Sequence, residues 1–182
     1  MLDKYIVLKL PLSLHKVKSH ILKSDFQIAG AEVREKIRND EKRLLSLYFD
    51  NWSLPFYGKL NGWRNDSPVY MMHNGVLVSG VYLCDNNEFD DGNDWGQLHY
   101  FYTEPAYKKI GLHSILVEHA INIAKSWNLR GVLINTDRHL LADVYMRWGA
   151  VVWKEIKKRN PSKSSLMLTK IRNRSLFNIK LF

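Results

Sequence analysis

The chain has 182 residues, a formal net charge of +9 and one cysteine, Cys84. An apolar content of 46% and a charged content of 25% are typical of a globular domain, and the absence of an 18-residue apolar run argues against a membrane-spanning helix. One cysteine excludes an intrachain disulfide, and the N-terminus lacks the layout of a signal peptide, so we expect a cytoplasmic protein.

The charge is distributed unevenly along the chain. Between Lys154 and Phe182 there are nine basic residues and one acid, whereas the segment from Asp85 to Asp94 holds five acids and no base. The basic residues are not interleaved with aromatic residues in a known nucleic-acid motif, which argues against a nucleic-acid partner. The distribution instead predicts a local role for each charged segment.

The N-terminal third combines short apolar runs with helical patterns. Tyr5–Leu10 predicts a strand, and Leu12–Leu22 has helical spacing. Ala29 and Gly30 interrupt this pattern, and Ala31–Tyr48, rich in Glu, Lys, Arg and Leu, predicts a second helix. The stretch 51–64 contains aromatics, two glycines and a proline without a period, so it predicts a loop.

Strand patterns dominate the middle of the chain. Val69–His73 and Val76–Leu83 flank Asn74-Gly75, and this dipeptide between two apolar runs predicts a β-hairpin. A third run begins at Gln97, is rich in aromatic residues and is stopped by Pro105, which cannot donate to a sheet.

The remaining elements predict a mixed sheet. In order they are a helix from Gly111 to Asn128, a buried strand at Gly131–Asn135, a helix at Leu140–Trp148, and two alternating strands at Ala150–Ile156 and Ser165–Ile171. The tail 172–182 is interpreted as either an edge strand or a disordered segment. This order predicts a single α/β (α+β) domain with a mixed, mostly antiparallel sheet flanked by helices.

The segment from Gln97 to Leu116 contains a strand, a basic turn and a helix start. Lys108 and Lys109 lie in the turn, and Gly111 opens the helix. Backbone N–H groups at a helix N-terminus and the helix dipole both favour a bound anion. This segment therefore predicts a site for a phosphate chain.

Two blocks of the sequence resemble the GCN5-related N-acetyltransferases (the GNAT superfamily). The family signature Q/R-x-x-G-x-G/A falls on Lys108 to His113, and Ala142–Ala150 is similar to the family's A-x-x-F-Y-x-x-x-G-F helix. The resemblance covers residues 69–170 and includes the predicted hairpin.

The resemblance implies one GNAT-like domain with three parts. Residues 1–66 would be a variable segment that lines the side of the amine acceptor, residues 67–171 the acyl-CoA-binding core, and residues 172–182 a basic tail.

The implied reaction is acetyl transfer from acetyl-CoA to an amine by direct attack, without a metal. In the family the central strand splays after a bulge, here near Tyr102 and Thr103, and its backbone holds pantetheine and polarises the thioester carbonyl. Tyr145 would act as general acid toward the departing thiolate. The implied cofactor-binding residues are Phe101, Tyr102, Thr103, Lys108, Lys109, Ile110, Gly111, Leu112, His113, Ser114 and His139.

Four positions depart from the family pattern. Lys108 replaces the usual arginine and loses its bidentate fork, His113 occupies a position where a small residue is expected, and His139 stands where an asparagine is common. Gln97 occupies the position of the glutamate base, and an amide cannot accept a proton. His99 lies on the same strand face and is a candidate general base.

The sequence leaves the general base and the amine acceptor open. Asp90, Asp91 and Asp94, in the acidic loop, could act as a base through water, and the same loop could hold a peptide or protein amine. The basic loop that begins with Lys157, Lys158 and Arg159 instead predicts an anionic acceptor, such as a nucleotide-linked amino sugar.

A different class of function also stays open. The chain could be a non-catalytic GNAT-fold module that binds CoA or nucleic acid, because the second small residue and the glutamate of the family are missing. The oligomeric state is left open, a homodimer included.

Overall fold

The computed structural model describes residues 4–13, 15, 24–48, 66–85, 94–136 and 139–157. Within these residues, seven strands form one sheet and three α-helices pack on it. The strands are β1 (Lys4–Pro11), β2 (Phe26–Ala29), β3 (Asp66–His73), β4 (Val76–Cys84), β5 (Trp95–Thr103), β6 (Gly131–Thr136) and β7 (Val151–Lys157). The helices are α1 (Arg34–Ser46), α2 (Leu112–Ser126) and α3 (His139–Arg147).

The sheet has the strand order β2-β3-β4-β5-β6-β1-β7. β5 and β6 are parallel, and the other paired strands are antiparallel. The predicted mixed, mostly antiparallel sheet is therefore confirmed. The apolar residues of α2 and α3 join one core cluster, and those of α1 join a second cluster, so the sheet is covered by helices on both faces.

Residues with left-handed backbone conformation end several elements where the sequence predicts it. Asn74 and Gly75 have φ values of 49° and 79°, which matches the turn that an Asn-Gly hairpin needs. Gly111 has a φ of 88° at the start of α2, and Asn128 has a φ of 57° just after its end. The hairpin and the bounds of this helix follow from local residue chemistry.

The N-terminal strand β1 lies inside the sheet. It pairs with β6 on one side and β7 on the other, antiparallel to both. Its residues Ile6, Val7, Leu8 and Leu10 are buried. β1 belongs to the segment 1–66 that the sequence separated from the 67–171 core, and it pairs within the same sheet as strands of that core.

The edge strand β2 was not predicted. It has four residues and pairs with β3, and the apolar–polar alternation of Phe26, Gln27 and Ile28 is not continued by Ala29.

Several sequence predictions fall on residues outside the described ranges. They are most of the Leu12–Leu22 helix, the loop 51–64, most of the acidic segment 85–94, the strand Ser165–Ile171 and the tail 172–182. Among the helices that are described, none has the length and apolar content to cross a membrane.

Candidate active site

A gap opens between β5 and β6 in the centre of the sheet. Their parallel pairing ends at Leu98 and Ile134, although β5 continues to Thr103. The register between β4 and β5 shifts at this level, and Tyr100 has a φ of 49°. A left-handed tyrosine is strained, and such strain persists only where the surrounding structure imposes it. The bulge at Tyr100 therefore bends β5 away from β6.

The backbone of Thr103 faces this gap. The amide of Glu104 donates to the carbonyl of Val78 at 2.7 Å, and Tyr102 pairs with Gly80. Hydrogen-bonded and non-bonded pairs alternate in an antiparallel ladder, so the backbone groups of Tyr102 point to β4 and those of Thr103 point the other way. Of the two residues that the sequence indicated, Thr103 presents its backbone to the gap.

The basic turn follows β5 directly. After a 3-10 turn at Pro105–Tyr107, Lys108 is extended, Lys109 has a φ of 67° and Ile110 is exposed. Gly111 then caps α2 without any side-chain hydrogen bond. The turn is exposed and carries two lysines at the positive end of a helix, which suits a phosphate chain.

The first backbone amides of α2 differ in what they can bind. The amide of Ser114 donates to the carbonyl of Gly111 at 3.1 Å. The amides of Leu112 and His113 lie in the first turn, where an α-helix supplies no carbonyl partner. These two amides are the ones best suited to an anion.

The side chain of His113 packs away from the turn, in an aromatic cluster. Its ring centroid lies 4.3 Å from that of Phe101, 5.7 Å from that of Tyr145 and 5.6 Å from that of Trp148. The Tyr145 hydroxyl is 3.4 Å from His113 Nε2. The bulky residue at the small-residue position thus fills the space between β5, α2 and α3, which leaves its backbone to the anion site.

Burial sets the protonation of this cluster. Desolvation lowers the pKa of His113 to about 4 and raises the pKa of the Tyr145 hydroxyl above its ordinary value. At neutral pH the imidazole is therefore uncharged and the phenol keeps its proton. Tyr145 is able to donate that proton.

His99 is neutral for the same reason. It is partly buried on β5, and desolvation lowers its pKa to about 4. A neutral imidazole can accept a proton, but a pKa this low makes it a weak base. Gln97, two residues earlier on the strand, is fully buried.

We expect the stability of the fold to decrease between pH 6.5 and pH 4. The unfolded chain takes up protons on His99 and His113 near pH 6.5, whereas the folded chain takes them up near pH 4, so acid favours unfolding. Each unit of pKa shift corresponds to about 1.4 kcal/mol. The melting temperature measured at pH 7.0, 6.0 and 5.0 should fall, and His113→Phe should flatten the decrease.

His119→Gln is the matched control for this pH series. His119 is on the same helix with its side chain exposed, so this variant should retain the wild-type profile. A His113→Phe profile as steep as that of the wild type would contradict the expectation.

The sequence did not identify a polar cluster on the α1 face. Glu41 is fully buried, and Tyr82 donates to its Oε1 atom, as does Tyr102 at 3.4 Å. The Tyr70 and Tyr82 hydroxyls are 3.1 Å apart. A signal was present, because Glu41 lies four residues from both Ile37 and Leu45 on the apolar stripe of α1.

Most of the other predicted site residues lie outside the described part of the chain. They are Asp90, Asp91, Lys158 and Arg159, together with the side chains of His139 and Lys157. Asp94 is described, and its carboxylate accepts a hydrogen bond from Arg130 at 3.2 Å. In the ranges that are described, no three potential metal-ligating side chains cluster.

The sequence of the chain matches the model of one protein family. The sequence model of the Acetyltransferase (GNAT) family matches residues 35–149, more than half of the chain. No curated protein sequence is significantly similar.

Solved structures share the fold at low sequence identity. A GCN5-related N-acetyltransferase from Kribbella flavida has a TM-score of 0.61 at 12% identity, covering 87% of this chain and 59% of its own, less than two thirds of its length. A glucosamine-6-phosphate N-acetyltransferase from Arabidopsis thaliana has a TM-score of 0.56 at 15% identity, covering 74% of this chain and 97% of its own. An aminoglycoside N-acetyltransferase in complex with CoA has a TM-score of 0.58 at 15% identity, covering 78% and 99%.

Proposed function

Because this chain belongs to the Acetyltransferase (GNAT) family, we propose that it transfers an acetyl group from acetyl-CoA to the amine of a small molecule by direct attack. The observation that carries the proposal is the gap beside the bulged end of β5. It is followed immediately by the basic turn and by the start of α2, which has no side-chain cap. A gap that presents a backbone amide suits a thioester carbonyl, and the basic helix start that follows it suits a diphosphate. We place the protein in the cytoplasm as part of the same proposal.

The residues of the turn fit the diphosphate of CoA. The amides of Leu112 and His113 supply donors, and Lys108 and Lys109 supply positive charge from exposed positions. Lys108 also lies over the ring of Tyr48, 5.1 Å from its centroid, and this cation–π contact restrains its ammonium group. Acetyl-CoA supplies the activated acyl group when it is bound.

Two groups have roles in the transfer itself. The Thr103 amide faces the gap and would donate to the thioester carbonyl oxygen as negative charge develops there. Tyr145 would give its proton to the departing sulfur, because burial keeps the hydroxyl protonated at neutral pH. His99 is our candidate for the group that removes the proton of the amine. His99 would accept this proton in its neutral form. The alternative general base is Asp90 or Asp91, acting through water.

The amine acceptor is proposed to be anionic. The support is the basic run Lys157, Lys158 and Arg159, which begins with the last residue of β7. A structure with the same fold is named for glucosamine-6-phosphate, an amino sugar with a phosphate. Nucleotide-linked amino sugars share that chemistry. A screen of amino sugars, polyamines, amino acids and peptides for thiol release from acetyl-CoA tests this choice.

We expect acetyl-CoA to stabilise the protein against heat. A ligand present at 100 times its Kd stabilises the folded state by about 2.7 kcal/mol, which is measurable by thermal shift. Lys108→Ala should weaken acetyl-CoA binding about five-fold, because the lost charge lies in the phosphate turn. Lys125→Ala removes the same charge at the opposite end of α2 and should leave binding unchanged.

The same titration separates the proposed enzyme from a non-catalytic module. Stabilisation by an oligonucleotide, with none by acetyl-CoA or desulfo-CoA, would reject the enzyme and favour the nucleic-acid module. Binding of CoA species without thiol release for any amine in the screen would favour a CoA-binding module.

A further inference from the structure

Ser79 of β4 is a buried polar residue next to the gap. It is 1% exposed, and its hydroxyl donates to the carbonyl of Tyr102 at 2.7 Å. The same oxygen is 2.8 Å from Oγ1 of Thr103. A serine hydroxyl has one proton, and it is used on Tyr102, so the Thr103 hydroxyl must donate to Ser79. A directed chain of hydrogen bonds therefore runs from Thr103 through Ser79 to the Tyr102 carbonyl.

This chain of hydrogen bonds ends on one particular peptide group. The carbonyl of Tyr102 and the amide of Thr103 belong to the same peptide bond, and in a trans peptide they point in opposite directions. The carbonyl points to β4, so the amide points into the gap between β5 and β6. Ser79 thus bonds to the carbonyl of the same peptide group whose amide points into the gap.

The two residues that share this peptide bond also contact α1 and the turn that follows it. Tyr102 donates its side-chain hydroxyl to Glu41, and the Tyr48 hydroxyl donates to the carbonyl of Thr103. These bonds restrain the strand, but neither is made to the carbonyl of the peptide that presents its amide to the gap. The Ser79 hydroxyl bonds that carbonyl directly.

We propose that Ser79 is a positioning residue for acetyl transfer, which orients and polarises the Tyr102–Thr103 peptide so that its amide donates more strongly to the thioester carbonyl. The inference rests on the proposed function. Its physical basis is that a hydrogen bond accepted by a carbonyl strengthens the N–H of the same peptide, and chains of such bonds reinforce each other. Ser79 itself does not contact the acetyl group.

Binding of two ligands that differ only in the acetyl group isolates this effect without an amine acceptor. Ser79→Ala should weaken acetyl-CoA about three-fold while leaving the Kd of CoA unchanged, because CoA has no carbonyl at this position. The infrared carbonyl band of bound acetyl-CoA, carrying ¹³C in the carbonyl, should move to higher wavenumber, since a weaker donor polarises the bond less. With an acceptor found by the screen, kcat should fall about five-fold, less than the hundred-fold loss expected for removing an oxyanion donor.

Two further variants keep this test decisive. Thr103→Val removes the donor to Ser79 and should shift the carbonyl band part of the way. Ser126→Ala deletes a hydroxyl that also donates to a backbone carbonyl at 2.7 Å, but at the far end of α2. It should leave the band unchanged.

The outcomes distinguish this inference from the proposed function. If wild-type protein binds neither acetyl-CoA nor CoA, the proposed function fails, and the role of Ser79 fails with it. If the wild type binds both and Ser79→Ala has the wild-type carbonyl band and the wild-type ratio of the two Kd values, the role of Ser79 alone is overturned. A Ser79→Ala protein that is less stable is compared with Thr103→Val, for which a band shift in the same direction is required.

Discussion

Removal of residues 1–11 is expected to abolish the cooperative folding of this domain. β1 pairs along six positions with β6 and along six with β7, so its loss leaves two facing strand edges without partners. Ile6, Leu8 and Leu10 also leave the main core cluster. Each such buried side chain contributes about 2 kcal/mol, and the net stability of a domain is only about 5–15 kcal/mol.

The experiment compares the truncated chain with two point variants by urea unfolding. The truncated chain should show no cooperative transition, and addition of a synthetic peptide of residues 1–13 should restore one in proportion to peptide concentration. Leu8→Ala should lower the free energy of unfolding by about 2–5 kcal/mol, since Leu8 is fully buried. Leu47→Ala, at a position that is 53% exposed, is the control and should change it by less than about 0.5 kcal/mol. A truncated chain with the wild-type midpoint would contradict the position of β1.

The surroundings of Gly131 give an independent reason to expect that β1 is inserted tightly. A Cβ atom added at Gly131 would lie 2.7 Å from the backbone carbonyl oxygen of Leu10 and 2.3 Å from the ring of Trp95. β1 and β5 therefore approach this glycine closely, and neither a backbone oxygen nor a buried ring can move aside easily. The packing of β1 against β6 therefore leaves no room for a side chain at this glycine.

The local elements of this fold could be predicted, but the pairing of β1 could not. Tyr5–Leu10 has the composition of a strand and Asn74-Gly75 has the chemistry of a hairpin turn, and both signals depend on neighbouring residues. The partner of β1 is more than a hundred residues away in the chain. The alternation of Ile6, Leu8 and Leu10 does not indicate which strands β1 pairs with, because such a pattern specifies a buried face and not a neighbouring strand.

The candidate site also has one part that could be predicted from the sequence and one that could not. The basic turn at Lys108 and Lys109 could be found because strand, glycine and helix follow each other in sequence. Ser79 could not be assigned a role, because its importance depends on a register shift that brings it against Tyr102. A Ser-Gly pair within an apolar strand was the available signal, since small residues in strands often mark bulges or close backbone approach.

His113 is a departure from the family pattern that the structure explains. A histidine at a small-residue position could hinder a diphosphate or donate a hydrogen bond to it. The ring instead packs against Phe101, Tyr145 and Trp148, on the side of α2 that faces the sheet. A bulky residue is tolerated here because Gly111, and not His113, makes the turn that needs a left-handed conformation.

Tyr145→Phe is expected to lower kcat for acetyl transfer about a hundred-fold without changing the Kd of acetyl-CoA. The substitution removes only the hydroxyl, and general acid catalysis by a positioned side chain contributes about 10²–10⁴-fold. The ring stays in contact with His113 and Trp148, so the aromatic cluster is retained. Single-turnover thiol release, with an amine found in the screen, measures the chemical step directly.

Tyr70→Phe is the matched control for this variant. Tyr70 is also a buried tyrosine, and its hydroxyl bonds to Tyr82 on the opposite face of the sheet. Both variants lose one buried hydroxyl and should lose a similar amount of stability, about 1 kcal/mol. Only Tyr145→Phe should change kcat, because only its hydroxyl is proposed to lie near the sulfur. If both variants lower the melting temperature equally and kcat stays within about two-fold of wild type in both, Tyr145 is a packing residue and the thiolate takes its proton from another group.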